Sequence, residues 1–206
     1  MSRQETVRHV LAVAVRVEDH FLGTPVLETL DVRIDGDRRP HAHGDGTYCF
    51  IGVEDGVHEL TIGGLADRWM ALEPTPGLVL PLANPGEAIV VPVWPTPSQP
   101  TPLGLTSVRG KLVGGPQQTL GRRVEIDVGA TPAVHHTIST SRAEFLFLLP
   151  GALVLDGEGN VPITIRVGGA AVTGGEVVDG EERTPFAGSS IAIAPGREAH
   201  LRVHVT

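Results

Sequence analysis

"GDGTYCFIGVEDGVHELTI", residues 44–62, places two short alternating apolar segments on either side of an acidic turn. Tyr48 and Phe50 stand two positions apart before the turn, and Leu60 and Ile62 stand two positions apart after it. Because successive side chains of a β-strand point to opposite faces, each pair would project to one face. The stretch therefore predicts two strands whose aromatic and aliphatic side chains enter a core.

The composition favours an all-β protein. The chain of 206 residues contains 26 glycines and 17 prolines, and it lacks a helical apolar periodicity. Its length suits one large β domain or two smaller ones. A net charge of −8 disfavours a nucleic-acid partner, since such binding depends on Lys and Arg at phosphates. Cys49 is the only cysteine, which excludes an intrachain disulfide.

The first apolar run, "VLAVAV" (10–15), is too short to span a membrane, lacks a cleavage-like site and continues into charged residues. We therefore predict a cytoplasmic protein without membrane insertion. Lys111 is the only lysine among 16 basic residues, a bias typical of GC-rich bacterial genomes.

The chain contains an internal repeat. Segments of the first half recur in the same order in the second half, at an offset of roughly one hundred residues. The pairs are "LAVAVRV" (11–17) with "TSVRGKLV" (106–113), "LDVRIDG" (30–36) with "RVEIDVG" (123–129), "TYCFIGV" (47–53) with "AEFLFLL" (143–149), "HELTIGG" (58–64) with "ITIRVGG" (163–169), and residues 80–93 with 191–205. Such a repeat predicts two like domains in tandem.

The predicted domains are residues 1–93 and 103–206, joined by a linker over residues 94–102. The linker sequence is "WPTPSQPTP". Because proline fixes φ near −65° and favours an extended chain, we expect a semi-rigid spacer that keeps the domains at a set separation.

Each strand has one apolar face. Leu30, Val32 and Ile34 alternate with charged residues, and the same alternation recurs in the second half. The recurring inward positions are Val124, Ile126, Val128, Leu201, Val203 and Val205. One apolar face per strand is typical of antiparallel sheets packed face to face. The fold class that follows is all-β, with two tandem antiparallel β-sandwich domains.

The order of the first-domain motifs resembles the carboxypeptidase-regulatory-like, or transthyretin-like, β-sandwich. The matching residues are Val32, Ile34, Gly36, Asp45, Gly46, Tyr48, Phe50, Gly56, Leu60 and Ile62. Asp55-Gly56 stands where that family usually has Pro-Gly, and "SRAEFLF" (141–147) is a weaker match in the second domain. The resemblance implies a fold, and a fold does not define a function.

A narrower resemblance concerns the segments at 13–26 and 93–112. "VAVRVEDHFLGTPV" and "VWPTPSQPTPLGLTSVRGKL" are similar to tandem proteins associated with phage-tail-like contractile injection systems. This resemblance implies a small accessory or cap-region part of such a system.

Nine histidines raise the question of a metal site. His41 and His43 stand two positions apart, and His200 and His204 stand four apart on one outward face of the last strand, but each pair is only half of a zinc site. We expect ordinary surface histidines, with no metal, no cofactor and no small-molecule ligand.

The sequence carries no catalytic motif that we recognise. His-Glu-x-x-His is absent, and "AGSSIA" (187–192) is not the Gly-x-Ser-x-Gly elbow. Transthyretin-like hydrolases that open hydroxyisourate end in Tyr-Arg-Gly-Ser, whereas this sequence ends in "LRVHVT". We therefore predict a protein that is not an enzyme.

Two tryptophans, Trp69 and Trp94, allow three interpretations. They plug the end of the first sandwich, they anchor a partner protein together with Met70, or they stack on a sugar. The sequence predicts a non-catalytic structural or adaptor protein of a multi-subunit assembly. The alternative is a carbohydrate- or cell-surface-binding module, and a transthyretin-like hydrolase ranks below both.

Overall fold

A computed structural model describes residues 11–42, 45–65, 67–72, 75, 77–84, 86–129, 134–149 and 151–206. The chain divides into two compact units, Met1–Trp94 and Pro95–Thr206. Regular structure in the described ranges is almost entirely β. No helix in these ranges is long and apolar enough to cross a membrane.

The first unit is built from short strands. They are β1 (Leu11–Asp19), β2 (Asp31–Ile34), β3 (His41–Ala42), β4 (Thr47–Ile51), β5 (Gly56–His58), β6 (Leu60–Gly63), β7 (Trp69–Met70), β8 (Leu78–Leu80) and β9 (Ile89–Pro95). A five-stranded sheet has the order β3-β4-β1-β9-β7, and two-stranded sheets pair β2 with β6 and β5 with β8. Within the large sheet β1 is antiparallel to β4 and parallel to β9.

The core of the first unit contains the alternating residues that the sequence predicts. Val32, Ile34 and Phe50 are all buried, and Ile62 packs against the same core from a half-buried position. Tyr48 is also buried, and its hydroxyl oxygen accepts a hydrogen bond from the backbone N–H of Leu30 (3.1 Å). The phenol is thus tolerated in the core because its polar end has a partner.

The second unit has longer strands and one short helix. They are β10 (Thr106–Val113), α1 (Pro116–Thr119), β11 (Arg123–Val128), β12 (Val134–Ile138), β13 (Glu144–Leu149), β14 (Val161–Val167), β15 (Val172–Asp179), β16 (Glu182–Ala187), β17 (Ser190–Ile193) and β18 (Glu198–Val205). One sheet has the order β13-β10-β18-β15-β16 and the other β12-β11-β14-β17.

The strand pairing repeats between the units, as the sequence repeat would require. In the second unit β10 is antiparallel to β13 and parallel to β18, as β1 is to β4 and β9. Likewise β11 is antiparallel to β14, as β2 is to β6.

The prediction of purely antiparallel sheets is wrong at one pair in each unit. The first and last strands of a unit are parallel neighbours. A parallel pair needs a long crossover connection, and here the rest of the unit supplies it. Alternation along a single strand indicates which face is buried. It does not predict whether a neighbouring strand that is distant in sequence runs parallel or antiparallel.

The predicted inward positions of the second half are all buried, from Val124 on β11 to Val205 on β18. Strand β13 departs from the expected single apolar face. Phe145 and Phe147 are buried on one face, and Leu146 and Leu148 are buried on the other. Both faces of β13 are therefore buried in the core.

The predicted linker over residues 94–102 is not confirmed as a separate spacer. Trp94 lies in β9, which ends at Pro95. Gln99 is buried, and its backbone carbonyl oxygen accepts a hydrogen bond from Arg109 Nη2 (2.8 Å). The proline-rich segment is thus bonded to the second unit.

Candidate functional site

Two of the predicted interaction residues lie together on a sheet edge. Trp69 and Met70 form β7, the last strand of the five-stranded sheet, and both are half-buried. The indole Nε1–H of Trp69 donates to the carboxylate of Glu28, which also forms an ion pair with Arg68 (2.5 Å). These contacts orient the indole at the edge of the sheet.

Beside Trp69 the first unit has a surface groove of about 370 Å³. Trp69, Leu22, Leu27 and Glu28 are among its lining residues. Leu27 is 71% exposed, so an apolar side chain of this groove is open to solvent. The groove therefore combines an aromatic ring, an exposed aliphatic side chain and a carboxylate.

The third predicted interaction residue, Trp94, lies elsewhere in the packing. It is only 1% exposed, and its ring stacks on His20 with centroids 4.3 Å apart and planes at 26°. A buried indole has no free face for a partner or a sugar. This position agrees with the interpretation that Trp94 plugs the first unit, whereas Trp69 keeps contact with the surface.

The histidines do not converge on a metal site in the described residues. No group of three potential ligands among His, Cys, Asp and Glu comes together there. His41 on β3 is the direct register partner of Cys49 on β4, and His43 lies outside the described residues. The absence of a metal stays a prediction.

His58 is held by two acceptors. Its Nδ1 lies 2.7 Å from Asp35 Oδ2, and its Nε2 lies 2.9 Å from the carbonyl oxygen of Glu54. The hydrogen bond with Asp35 raises the pKa of His58 above its ordinary value of 6.5 and lowers the pKa of Asp35. A protonated imidazole can donate to both acceptors, so the geometry suits the charged form.

A second site, which the sequence did not predict, lies on the outward face of β10 and β18. Direct register pairs place Arg109 beside His200 and Lys111 beside Arg202. These residues line a cavity of about 350 Å³. The remaining lining residues are Pro97, Ser98, Gly110, Glu144, Val178 and Leu201.

Arg109 and Glu198 form the fixed part of this face. Arg109 Nε donates to Glu198 Oε1 and Nη2 donates to Glu198 Oε2, both at 3.0 Å, which is a bidentate ion pair. The hydroxyl of Thr101 donates to the same carboxylate, and His200 Nε2 lies 3.0 Å from Glu198 Oε1. The bonds from Arg109, above all, lower the pKa of Glu198 to about 2. This cluster ties the proline-rich segment to the sheet.

A partial sequence signal for this face exists. The outward direction of His200 and Arg202 follows from the alternation of the last strand. Their neighbours Arg109 and Lys111 lie about ninety residues earlier in the chain. Only the parallel pairing of the first and last strands of the unit brings these four side chains together. No periodicity within either strand carries that information.

The comparisons with known proteins are sparse. The sequence matches no protein-family model and no curated protein. Among solved structures, the major pilin protein T-13 from Streptococcus pyogenes is similar at 7% identity and a TM-score of 0.26, with 97% of this chain and 99% of the pilin covered. A point mutant of the major pilin from Streptococcus pyogenes gives 10% identity and a TM-score of 0.25, with 95% of this chain and 97% of the pilin covered. At these TM-scores the likeness does not establish a common fold.

Proposed function

We propose that the protein is a non-catalytic structural or adaptor component of a multi-subunit assembly. The best candidate is a cytoplasmically assembled accessory or cap part of a bacterial phage-tail-like contractile injection system. The repeated strand pairing supports two like domains. We propose that both are sandwiches of the transthyretin-like type. The proposed mechanism is geometric, because surfaces presented by the two units would engage neighbouring subunits.

One observation carries this proposal: Trp69 stands on an edge strand beside the exposed Leu27. Edge strands present unpaired backbone groups that a partner can extend by pairing. Tryptophan and methionine are enriched in the cores of protein interfaces, and β7 consists of both. The groove next to β7 gives a partner side chain an apolar place to bind.

The experiment compares recovery in purified particles from a strain that lacks the wild-type copy. The strain is complemented with wild type, with Leu27→Asp or with Leu103→Asp. Leu103 is fully exposed in the second unit and is not part of any strand, so it provides a matched control. We expect Leu27→Asp to reduce recovery about tenfold and Leu103→Asp to leave it unchanged, with both variants melting as wild type does.

Equal recovery of Leu27→Asp and Leu103→Asp would exclude the groove as the contact. Absence of the wild-type protein from every such particle would overturn the assembly proposal as a whole.

A second candidate function is carbohydrate binding, which the same groove favours. Sugar sites on β-sandwiches combine an aromatic ring with polar side chains, and here Trp69 lies beside Glu28. A Trp94→Phe variant leaves Trp69 as the single tryptophan, so its fluorescence reports on the groove alone. A saturable shift with soluble polysaccharide or peptidoglycan fragments, abolished by Leu27→Asp, would favour this candidate over assembly.

A further inference from the structure

The cavity on β10 and β18 is lined by two cations, Lys111 and Arg202. Within the described ranges, Lys111 and Arg202 form no ion pair or side-chain hydrogen bond. They are direct register partners on adjacent parallel strands. Adjacent strands lie about 4.8 Å apart, so an ammonium and a guanidinium on one face can reach the same group.

Most of the acidic side chains near these cations form ion pairs with other basic residues. Glu198 is bonded to Arg109 and His200. Glu176, the register partner of Arg202 on β15, forms an ion pair with Arg183 (3.2 Å). Glu144, the register partner of Lys111 on β13, is the remaining carboxylate that lines the cavity.

The charge count of the face follows from these pairs. Lys111 and Arg202 contribute two positive charges against one negative charge from Glu144, while Glu198 and Glu176 are balanced by their arginine partners. The cavity is therefore positive, in a chain whose net charge is −8. A local field of this sign attracts anions even though the whole molecule repels them at long range.

The shape of the cavity sets the size of its ligand. Its volume of about 350 Å³ falls within the range of roughly 300–1,000 Å³ that is usual for small-molecule sites. Pro97 and Val178 give it apolar walls beside the two cations. The space thus accommodates an anionic group together with the organic part that carries it.

We propose that this cavity binds a phosphate monoester, with Lys111 and Arg202 as the residues that hold the phosphoryl group. A phosphoryl group carries a charge of about −1.5 to −2 at pH 7 and so engages both cations, whereas a carboxylate carries one charge. The planar guanidinium of Arg202 can bind two phosphoryl oxygens, and the ammonium of Lys111 acts as a point charge on a third. The sequence did not predict such a ligand.

The experiment follows backbone amide shifts of the full chain by NMR at constant ionic strength. The probes are glycerol 2-phosphate, inorganic phosphate, sulfate and acetate. We expect saturable shifts at Lys111, His200 and Arg202 with a dissociation constant of about 1 mM for glycerol 2-phosphate. Inorganic phosphate and sulfate should bind more weakly because they lack the organic part, and acetate should bind more weakly still because it carries one negative charge.

Variants test the assignment to the two cations. Lys111→Gln and Arg202→Gln should each weaken binding of glycerol 2-phosphate about tenfold, since each removes one charged hydrogen-bonding group. Arg142→Ala removes one exposed positive charge from the same unit, outside the cavity, and should change the affinity less than twofold. If Arg202→Gln fails to fold, the exposed Lys111→Gln carries the test alone.

Three results would overturn the proposal. The first is the lack of a saturable shift at the cavity amides with any phosphate probe. The second is an affinity for glycerol 2-phosphate that is equally affected by Lys111→Gln and Arg142→Ala. The third is equal affinity for phosphate, sulfate and acetate, which would indicate non-specific attraction of anions.

Discussion

The ring of Phe145 occupies the space that a side chain at Gly110 would need. The two residues are direct register partners on β13 and β10, and a Cβ atom at position 110 would lie 2.2 Å from Cζ of Phe145. Phe145 is completely buried, so its ring has no solvent-exposed position to move into. Glycine weakens a strand in general, and here an aromatic ring that covers it compensates.

Gly110→Ala is therefore expected to destabilise the protein by about 1–3 kcal/mol through overpacking. The measurement is the free energy of unfolding from urea denaturation followed by circular dichroism. Gly157→Ala is the matched control, because a Cβ atom there would meet nothing within 4 Å. Equal stability of the two variants would show that the Phe145 ring shifts freely.

Phe147→Ala and its counterpart in the first unit, Phe50→Ala, should each lower the free energy of unfolding by about 3–5 kcal/mol. Both side chains are at most 1% exposed, so truncation leaves a cavity in the core. Thermal and denaturant melts give the measurement, with the fully exposed Leu103→Ala as the control. A melting temperature equal to that of wild type would contradict the assignment of either residue to the core.

Glu198→Gln should destabilise the second unit at pH 7, and this difference should vanish in acid. The pKa of Glu198 is about 2 in the folded protein and has an ordinary value of 4.5, so its ion pair with Arg109 stabilises the fold above pH 4.5. That stabilisation is lost as the pH falls from 4.5 to 2, where the carboxylate becomes protonated. Urea melts of both proteins at neutral pH, near the ordinary pKa and near the folded-state pKa measure the difference. A destabilisation by Glu198→Gln that is the same at all three pH values would refute the role of the ionised carboxylate.

His58 should titrate above pH 6.5 in wild type and at a lower pH in Asp35→Asn. The raised pKa of His58 means that its protonated form stabilises the fold below pH 6.5, and that this contribution is lost as the pH rises through the folded-state pKa. Asp35 has a φ of +54°, which asparagine tolerates, so the variant keeps the backbone conformation. NMR titration of the His58 ring protons provides the pKa in each protein. An identical pKa of His58 in both proteins would show that the hydrogen bond with Asp35 does not stabilise the protonated imidazole.

The sequence predicted the strands of the core better than it predicted the site. The alternation of Leu30, Val32 and Ile34 predicts that they lie in the core, and all three are buried because the two-residue period of a strand sets the face of each side chain. Trp69 and Trp94 were indistinguishable in sequence, since an isolated tryptophan does not reveal whether its ring ends at a surface or inside a unit. The structure separates them into an edge residue and a buried one.

The sequence alone determined the all-β class, the internal repeat and the buried positions, because turn residues and apolar periodicity are local properties of the chain. Only the tertiary structure decided that the first and last strands of each unit are parallel neighbours. That pairing joins Arg109 to Glu198 and Lys111 to Arg202 across the length of the second unit. It is decided by long-range backbone hydrogen bonding and burial, which the pattern within a single strand does not encode.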